Sequence, residues 1–316
     1  MLLETLYKNP GAQKIAAAMG EKLIKVDSLC LTCHFTPKQM GTRLSATAGV
    51  SCESCHGAAK DWVGIHNDYG GPQFNHDTEP PEHKKERLAK AAAAGMFPPE
   101  QIYLLAGNCF SCHTVQNEKL VNVGGHSTGS SFDLADRIDQ IRHNFVRAGR
   151  NVNAPINPND KRVMYVVGWE LELEYGLRGA AKSVEDGRFI QAMAGHVRSA
   201  LAELRSIKAA MSIPEVDEAL NAAQGLSIKP NNETELLHAA DKVRLAGKTF
   251  VEKNDGSKLA ALDQVMSGGG GEEESTQTAG AAGESASATG AAGQIPRHAR
   301  PPASHKTLGP GCGCHG

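Results

Sequence analysis

Aromatic residues are scarce in this sequence. Phe, Trp and Tyr together make up 5% of the 316 residues, which is few for the packed core of a chain of this length. Leu, Ile and Val are also thinly spread over the first 130 residues. The chain is long enough for one or two domains, so its N-terminal part needs another source of apolar surface.

Three further absences limit the classes of function that the sequence allows. The formal net charge is -2, so no excess of basic residues predicts a nucleic-acid partner. No run of eighteen apolar residues occurs, so no transmembrane segment is predicted. Residues Met1 to Thr5 lack the basic and apolar regions of a secretory signal peptide.

Cysteine, in contrast, follows a regular pattern. Six of the eight cysteines lie in three Cys-x-x-Cys-His motifs, and these are Cys30-Leu-Thr-Cys33-His34, Cys52-Glu-Ser-Cys55-His56 and Cys109-Phe-Ser-Cys112-His113. This spacing puts two thiols on one turn of chain, where both can form thioethers with the vinyl groups of one porphyrin. The histidine that follows can supply the proximal iron ligand. The motifs are therefore interpreted as three attachment sites for haem c.

A redox dithiol or half of a zinc site is the alternative for any single motif. A zinc ribbon joins two Cys pairs around one metal and does not need a histidine after each pair. Three motifs with the same histidine therefore favour haem. Haem would also supply the apolar surface that this part of the sequence lacks, so the haem-free chain should fold poorly.

The motifs and the N-terminal residues indicate different cellular locations. Covalent haem is normally attached after export, so the motifs predict a periplasmic or otherwise exported protein. We expect that the sequence begins after a leader that it does not include. A cytoplasmic protein with unused motifs is the other interpretation.

Turn and helix signals predict a mainly α fold. Residues 1–132 are expected to form a multihaem c-type cytochrome domain, irregular and packed around haem, with short helices. Within it, residues 35–51 are expected to be loop-like. Residues 62–83, rich in Gly, Pro, Asn and Asp, should be irregular, and residues 84–94 should be helical.

Helical periodicity follows in the second half. Residues 133–267 are expected to form an antiparallel helical bundle. The residues expected to cap its helices are Asp133, Asn157, Ser183 and Asn232. Residues 268–316 are mostly Gly, Ala, Ser, Glu and Pro without an apolar pattern, which predicts a disordered tail.

A six-coordinate haem also needs a distal ligand, commonly His or Met. Three of the thirteen histidines follow the motifs, and the others are candidates. His126 is the first candidate because the glycines beside it let backbone approach a porphyrin face; a solvent-exposed turn histidine is the alternative. His143 lies opposite the apolar stripe of its helix, and spacing leaves ligand and surface residue equally open. His66, in the loop after the second motif, is similarly open.

The remaining candidates are weaker. His76 lies in the same irregular segment, and His83 lies in a charge run and should be solvated. His196 lies on the apolar face of a long helix and should be a hydrogen-bonded core residue. Met40 and Met96 are alternative distal ligands, but loop or core positions explain them as well. Near the C-terminus, Cys312-Gly-Cys314 is one residue too short for a haem motif, and a soft-metal site, a strained disulfide or no function are all open.

In these motifs and histidines, the chain resembles the cytochrome c-554-type multihaem family. The resemblance covers about residues 1–180, and five segments carry it: Leu29 to Phe35, Gly49 to Gly57, Asn108 to Val115, Gly124 to Ser130 and Ile141 to Phe145. Family members are electron-transfer proteins of the bacterial cell envelope, with closely packed haems and mostly His/His ligation. The resemblance therefore implies distal roles for His126 and His143, with His66 third.

One departure from the family pattern concerns the number of haems. Such proteins usually carry four motifs, and residues Thr5 to Lys8 resemble the stretch that follows a first one. A chain truncated at its start would have lost a fourth haem, and a true trihaem protein is the alternative.

These observations predict an electron carrier that works between redox partner proteins, with no nucleic-acid partner and no catalytic residues. The chain could also be a relay peripheral to a membrane respiratory complex. The main alternative is a multihaem enzyme acting on a small nitrogen compound at one haem with an open coordination position. No sequence feature marks such a position.

Overall fold

The structure is a computed structural model that describes residues 6–129, 133–141 and 155–268. This part of the chain contains thirteen α-helices and one two-stranded sheet, so the predicted mainly α fold is confirmed. His143 and the tail after residue 268 lie outside the described residues. Among the helices described, none has the length and apolar character needed to cross a membrane.

The N-terminal part is built from short helices that alternate with turns. Helix α1 is Pro10–Met19, and it ends at Gly20, which has the left-handed conformation typical of a helix end. The other helices of this part are α2 (Leu31–His34), α3 (Cys52–His56), α4 (Val63–His66), α5 (Pro81–Ala93), α6 (Ile102–His113) and α7 (Glu118–Asn122). Short 3-10 turns at Ala59–Asp61 and Pro99–Gln101 precede α4 and α6.

The prediction that residues 35–51 are loop-like was wrong. They form an antiparallel hairpin of β1 (Thr36–Met40) and β2 (Arg43–Ala48). The hairpin turns at Gly41, whose φ of +62° suits the first position of a two-residue turn. Pro37 and the largely exposed residues of β1 hide the apolar alternation that normally reveals a strand.

The second half contains three long helices and three short ones. These are α8 (Leu134–Ile141), α9 (Pro158–Ala181), α10 (Arg188–Ala210), α11 (Pro214–Ala222), α12 (Glu233–Lys253) and α13 (Leu262–Gly268). Helix α9 is central and packs against both α10 and α12. Small residues allow this approach, since a Cβ atom at Gly176 would lie 3.1 Å from Cγ2 of Val197.

Helix α6, which carries the third motif, packs into the core of this bundle. Its residues Tyr103, Ala106 and Phe110 belong to the same buried apolar cluster as the bundle residues. The hydroxyl group of Tyr103 donates a 2.9 Å hydrogen bond to Oε2 of Glu174 on α9. The third Cys-x-x-Cys-His motif is therefore held by the main buried apolar cluster of the described residues.

The predicted helix cap at Ser183 was wrong. Helix α10 starts at Arg188, and the Ser183 hydroxyl group instead donates a 2.6 Å hydrogen bond to Glu118 on α7. The amide N–H of Phe189 donates to Oδ1 of Asn122 at 3.0 Å. Asn122, distant in sequence, therefore satisfies one N–H of this helix start. Together with Glu118 it fastens the segment after the third motif to the bundle.

Candidate functional site

The three Cys-x-x-Cys-His motifs all lie on helical turns. They occupy α2, α3 and the last turn of α6. In a helix, residues three apart share a face, so each pair of thiols lies on one side of its turn. All six cysteines are free thiols with partial exposure. This arrangement suits two thioether bonds to one porphyrin per motif.

The second and third motifs are in direct contact. Nδ2 of Asn108 donates a 2.6 Å hydrogen bond to the carbonyl oxygen of Cys55. The thiols of Cys55 and Cys109 also hydrogen-bond, which lowers the pKa of Cys55 and raises that of Cys109. Two attachment sites that lie far apart in sequence are therefore neighbours in space.

The first and third motifs are also in contact. A hydrogen bond between the thiols of Cys33 and Cys112 raises the pKa of Cys33 and lowers the pKa of Cys112 to about 7. Sγ of Cys112 lies 4.0 Å from the carbonyl oxygen of Thr32. The third motif thus lies between the other two, and the three attachment sites form one continuous cluster.

The histidine of the second motif is oriented by a backbone carbonyl group. Nδ1 of His56 lies 2.9 Å from the carbonyl oxygen of Phe97, and a carbonyl oxygen can only accept a hydrogen bond. Nδ1 therefore carries the proton, which places the lone pair on Nε2, the atom that ligates iron in such pairs. Gly57 permits the contact, because its φ is +86° and a Cβ atom there would lie 2.6 Å from the carbonyl oxygen of Gly95.

His34 and His126 form a pair across the first motif. Their ring centroids are 6.2 Å apart, with the ring planes at 54°. Two imidazoles on opposite sides of one iron, each with a metal–nitrogen bond of about 2 Å, hold their centroids roughly 6 Å apart. Desolvation, and secondly the His126 ring, lowers the pKa of His34 and so favours the neutral form that binds metal. The pair therefore fits the two axial positions of one haem.

The loop that carries His126 is fixed at several points. The backbone N–H of His126 donates to the carbonyl oxygen of Leu120 at 3.1 Å. Its Nδ1 lies 2.9 Å from the carbonyl oxygen of Ser127, so its lone pair is also on Nε2. Gly129, with a φ of +88°, packs against the backbone of His113, where a Cβ atom would overlap the carbonyl oxygen.

His66 has a buried nitrogen atom that no described residue satisfies. Its Nδ1 lies 2.7 Å from the carbonyl oxygen of Val63, and its Nε2 is buried without a partner within the described residues. Nε1 of Trp62 is likewise buried without a partner among the described residues. The rings of Trp62 and His66 meet edge to face, with centroids 5.2 Å apart. Buried polar atoms are normally hydrogen-bonded, so this arrangement fits a ligand that supplies the missing partner.

A buried ion pair supports the His66 segment. The guanidinium group of Arg87 donates to both oxygens of Glu79, at 2.7 and 2.6 Å, and also to the carbonyl oxygen of His66. His83 completes the network, with Nδ1 2.7 Å from Oε1 of Glu79, so the expectation that His83 is simply solvated was wrong. The hydrogen bonds from Arg87 and His83 lower the pKa of Glu79 to about 2. The spacing of Glu79, His83 and Arg87 at four-residue intervals was a local sequence signal for this network. Only the contact of Arg87 with His66 depends on residues distant in the chain.

The other described candidates differ in their exposure and in their partners. His76 pairs with the neighbouring Asp77, Met40 is 56% exposed, and Met96 is buried beside Trp62. His196 is buried and hydrogen-bonded, as predicted. Cys312 and Cys314, like His143, lie outside the described residues. In the ranges that the structure covers, no group of three or more His, Cys, Asp or Glu side chains is arranged to hold a metal ion directly.

Comparison with known families supports the cytochrome interpretation. Residues 3–57 match the model of the family described as cytochrome c554 and c-prime. This segment contains the first two motifs, and the match agrees with the resemblance drawn from the sequence. A match to a cytochrome c family indicates a c-type cytochrome with haem that takes part in electron transfer. No curated protein and no solved structure matches the chain significantly.

Proposed function

We propose that the protein is a soluble multihaem c-type cytochrome that carries electrons between redox partner proteins in the bacterial cell envelope. It would hold one haem c at each of its three motifs, through the cysteine pairs 30 and 33, 52 and 55, and 109 and 112. The observation that carries this proposal is the contact between motifs. Asn108 donates a 2.6 Å hydrogen bond to the carbonyl oxygen of Cys55, and Sγ of Cys112 lies 4.0 Å from the carbonyl oxygen of Thr32. Cofactors bound at neighbouring motifs would therefore be close enough for electrons to pass between them.

The proximal ligands in this proposal are His34, His56 and His113. His126 would be the distal ligand opposite His34, as their 6.2 Å separation supports. His66 would be a second distal ligand, which would give its buried Nε2 a partner. His143 is retained as a third distal ligand on the family resemblance alone.

Bound haem supplies a one-electron iron couple. The residues of the chain hold the axial imidazoles in one tautomer and one orientation, through carbonyl groups such as that of Phe97 at His56. Ligands that do not move between oxidation states keep the energy of reorganisation small. The bundle, with α6 packed into its core, would give this cluster a rigid support and a surface for docking a redox partner.

Mass spectrometry of the exported protein tests the haem content. We expect a mass increment of three haems, and of one haem fewer when both cysteines of any one motif are changed to serine. Replacing the two C-terminal cysteines, Cys312 and Cys314, is the matched control and should leave the increment unchanged. An increment that the motif substitutions do not alter would contradict the proposal.

Spectroscopy separates the electron carrier from the enzyme. A carrier should have low-spin haems that do not bind cyanide or nitric oxide. A haem that is high-spin in the wild-type protein, binds these ligands and reduces nitrite or oxidises hydroxylamine would support a multihaem oxidoreductase instead.

A further inference from the structure

His196 connects the helical bundle to the loop that carries His126. It lies on α10, and its side chain is 9% exposed. Its Nδ1 lies 2.5 Å from Oε1 of Glu172 on α9, and its Nε2 lies 3.5 Å from the carbonyl oxygen of Thr128. One imidazole therefore contacts the central helix of the bundle on one side and, on the other, the residue two positions after His126.

The hydrogen-bond partners of His196 define the protonation state of its ring. The Glu172 carboxylate and the Thr128 carbonyl group can only accept hydrogen bonds, so His196 can serve both only when both of its nitrogen atoms carry protons. Burial by itself lowers the pKa of His196, but the hydrogen bond and charge of Glu172 and the bond to Thr128 outweigh it, and the pKa is raised. Glu172 is 1% exposed. The two side chains thus form a buried ion pair.

Close helix packing fixes where this pair lies. A Cβ atom at Gly176 would lie 3.2 Å from Cβ of His196, so the absence of a side chain there lets α10 approach α9. Val197, the next residue on α10, is 2% exposed and belongs to the main core. A side chain anchored in such packing has little freedom, and its Nε2 is a fixed contact point for the loop.

Among the described residues, the loop makes its other hydrogen bonds to α7 and within itself. Its other anchors, the bond from His126 N–H to Leu120 and the packing of Gly129 on His113, connect it to the helices around the third motif. Between these anchors lies Thr128, whose carbonyl group faces His196. His196 therefore gives the loop a direct contact with the bundle, in addition to the indirect connection through α7, which Glu118 and Asn122 fasten to the bundle.

We propose that His196, oriented by Glu172, is a positioning residue that holds the 123–129 loop so that His126 stays opposite His34. The inference rests on the proposed function, because it takes His126 as the distal ligand of the first-motif haem. His196 acts through the loop backbone and does not itself touch the axial ligands.

Two amide substitutions separate the two contacts of the ring. In His196→Asn the amide nitrogen atom takes the place of Nδ1 and can keep the bond to Glu172, but nothing reaches Thr128. In His196→Gln the amide nitrogen atom takes the place of Nε2 and can donate to Thr128. We expect the haem population without bound His126 to rise about tenfold in the Asn variant, the effect of losing one hydrogen bond to a charged donor. The Gln variant should keep near wild-type spectra and loop exchange, although it should melt at a lower temperature because Glu172 loses its charged partner.

The holoprotein gives three readouts. These are the high-spin fraction in the absorption and electron paramagnetic resonance spectra, the midpoint potentials, and the rate of hydrogen exchange over residues 123–129. His126→Ala gives the spectrum of complete ligand loss. His238→Ala, an exposed histidine on α12, is the control for losing a bundle histidine, and thermal melting shows whether each variant is folded.

Faster exchange over 123–129 and a larger high-spin fraction in the Asn variant, with near wild-type values in the Gln variant, would support the inference. Equal behaviour of the two folded variants, whether both are normal or both impaired, would overturn it. A different result would contradict the proposed function itself. A wild-type protein without covalent haem would contradict both the proposed function and the role of His196. Variants that carry haem and have identical spectra would contradict only the role of His196.

Discussion

The ring of Tyr103 packs directly on the backbone of Gly247. A Cβ atom at Gly247 would overlap ring atoms of Tyr103, so helices α6 and α12 meet here without an intervening side chain. The same tyrosine donates its hydroxyl hydrogen to Glu174 on α9. One residue thus fixes the helix of the third haem motif against two helices of the bundle.

Gly247→Ala should destabilise the protein because the new methyl group has no room beside Tyr103. Overpacking of this kind costs about 1–3 kcal/mol, and a urea or thermal melt of the holoprotein measures it. Gly195→Ala on α10 is the matched control, since the nearest atom to its Cβ would be Nη2 of Arg198 at 3.9 Å. That substitution should stabilise α10 by about 0.5–1 kcal/mol. Equal effects of the two changes would contradict the close packing.

Tyr103→Phe tests the polar half of the same contact. The substitution keeps the ring on Gly247 but removes the 2.9 Å hydrogen bond to Glu174. We expect a loss of about 1–2 kcal/mol in the free energy of unfolding. In Tyr69→Phe, the control, the ring remains 5.1 Å from the guanidinium carbon of Arg87, and stability should change by less than about 0.5 kcal/mol. Nε of Arg178 also donates to Oε1 of Glu174, at 2.7 Å. A Tyr103→Phe protein as stable as wild type would show that Arg178 alone satisfies Glu174.

Glu170→Met should stabilise the bundle. Glu170 is 0% exposed, and within the described residues neither of its carboxyl oxygens has a hydrogen-bond partner. Burial, and then the nearby Glu215 and Glu174, raises the pKa of Glu170 well above 4.5. Replacing an unsatisfied buried group by an apolar one of similar size should gain about 1–3 kcal/mol at pH 7.

The gain from Glu170→Met should depend on pH in a defined direction. Because the folded-state pKa of Glu170 is raised, the unfolded state releases a proton that the folded state retains, and the penalty grows as pH rises above the usual value of 4.5. The difference between variant and wild type should therefore shrink as pH falls below 4.5. Glu252→Met, at an exposed position on α12, should give little change at either pH. A gain that is constant with pH would contradict the raised pKa.

His66→Ala should open one axial position. Its Nε2 is buried and without a partner in the described part of the chain, and in the proposed function it binds iron. We expect one haem of the set to become high-spin and to bind cyanide. His76→Ala is the control, because His76 lies in the same segment but pairs with Asp77. Unchanged spectra for His66→Ala would remove His66 from the proposed ligands.

Much of the secondary structure follows from local chemistry. Gly20 ends α1, Asn157 and Pro158 start α9, and Asp133 accepts from the N–H of Asp136 at the start of α8. These features depend on residues close together in sequence, which a pattern can reveal. The hairpin at Gly41 was missed because its strands are exposed and contain proline. The start of α10 was misplaced because its N-terminal N–H at Phe189 is satisfied by Asn122 on another helix, while Ser183 bonds Glu118.

The sequence by itself determined the mainly α fold, the three motifs and the family resemblance, because motif spacing and helix caps are local. Only the tertiary structure decided which motifs touch, that His34 faces His126, and that His196 links the bundle to the His126 loop. These relationships join residues far apart along the chain. Their geometry comes from how the helices pack, and one sequence does not display that packing.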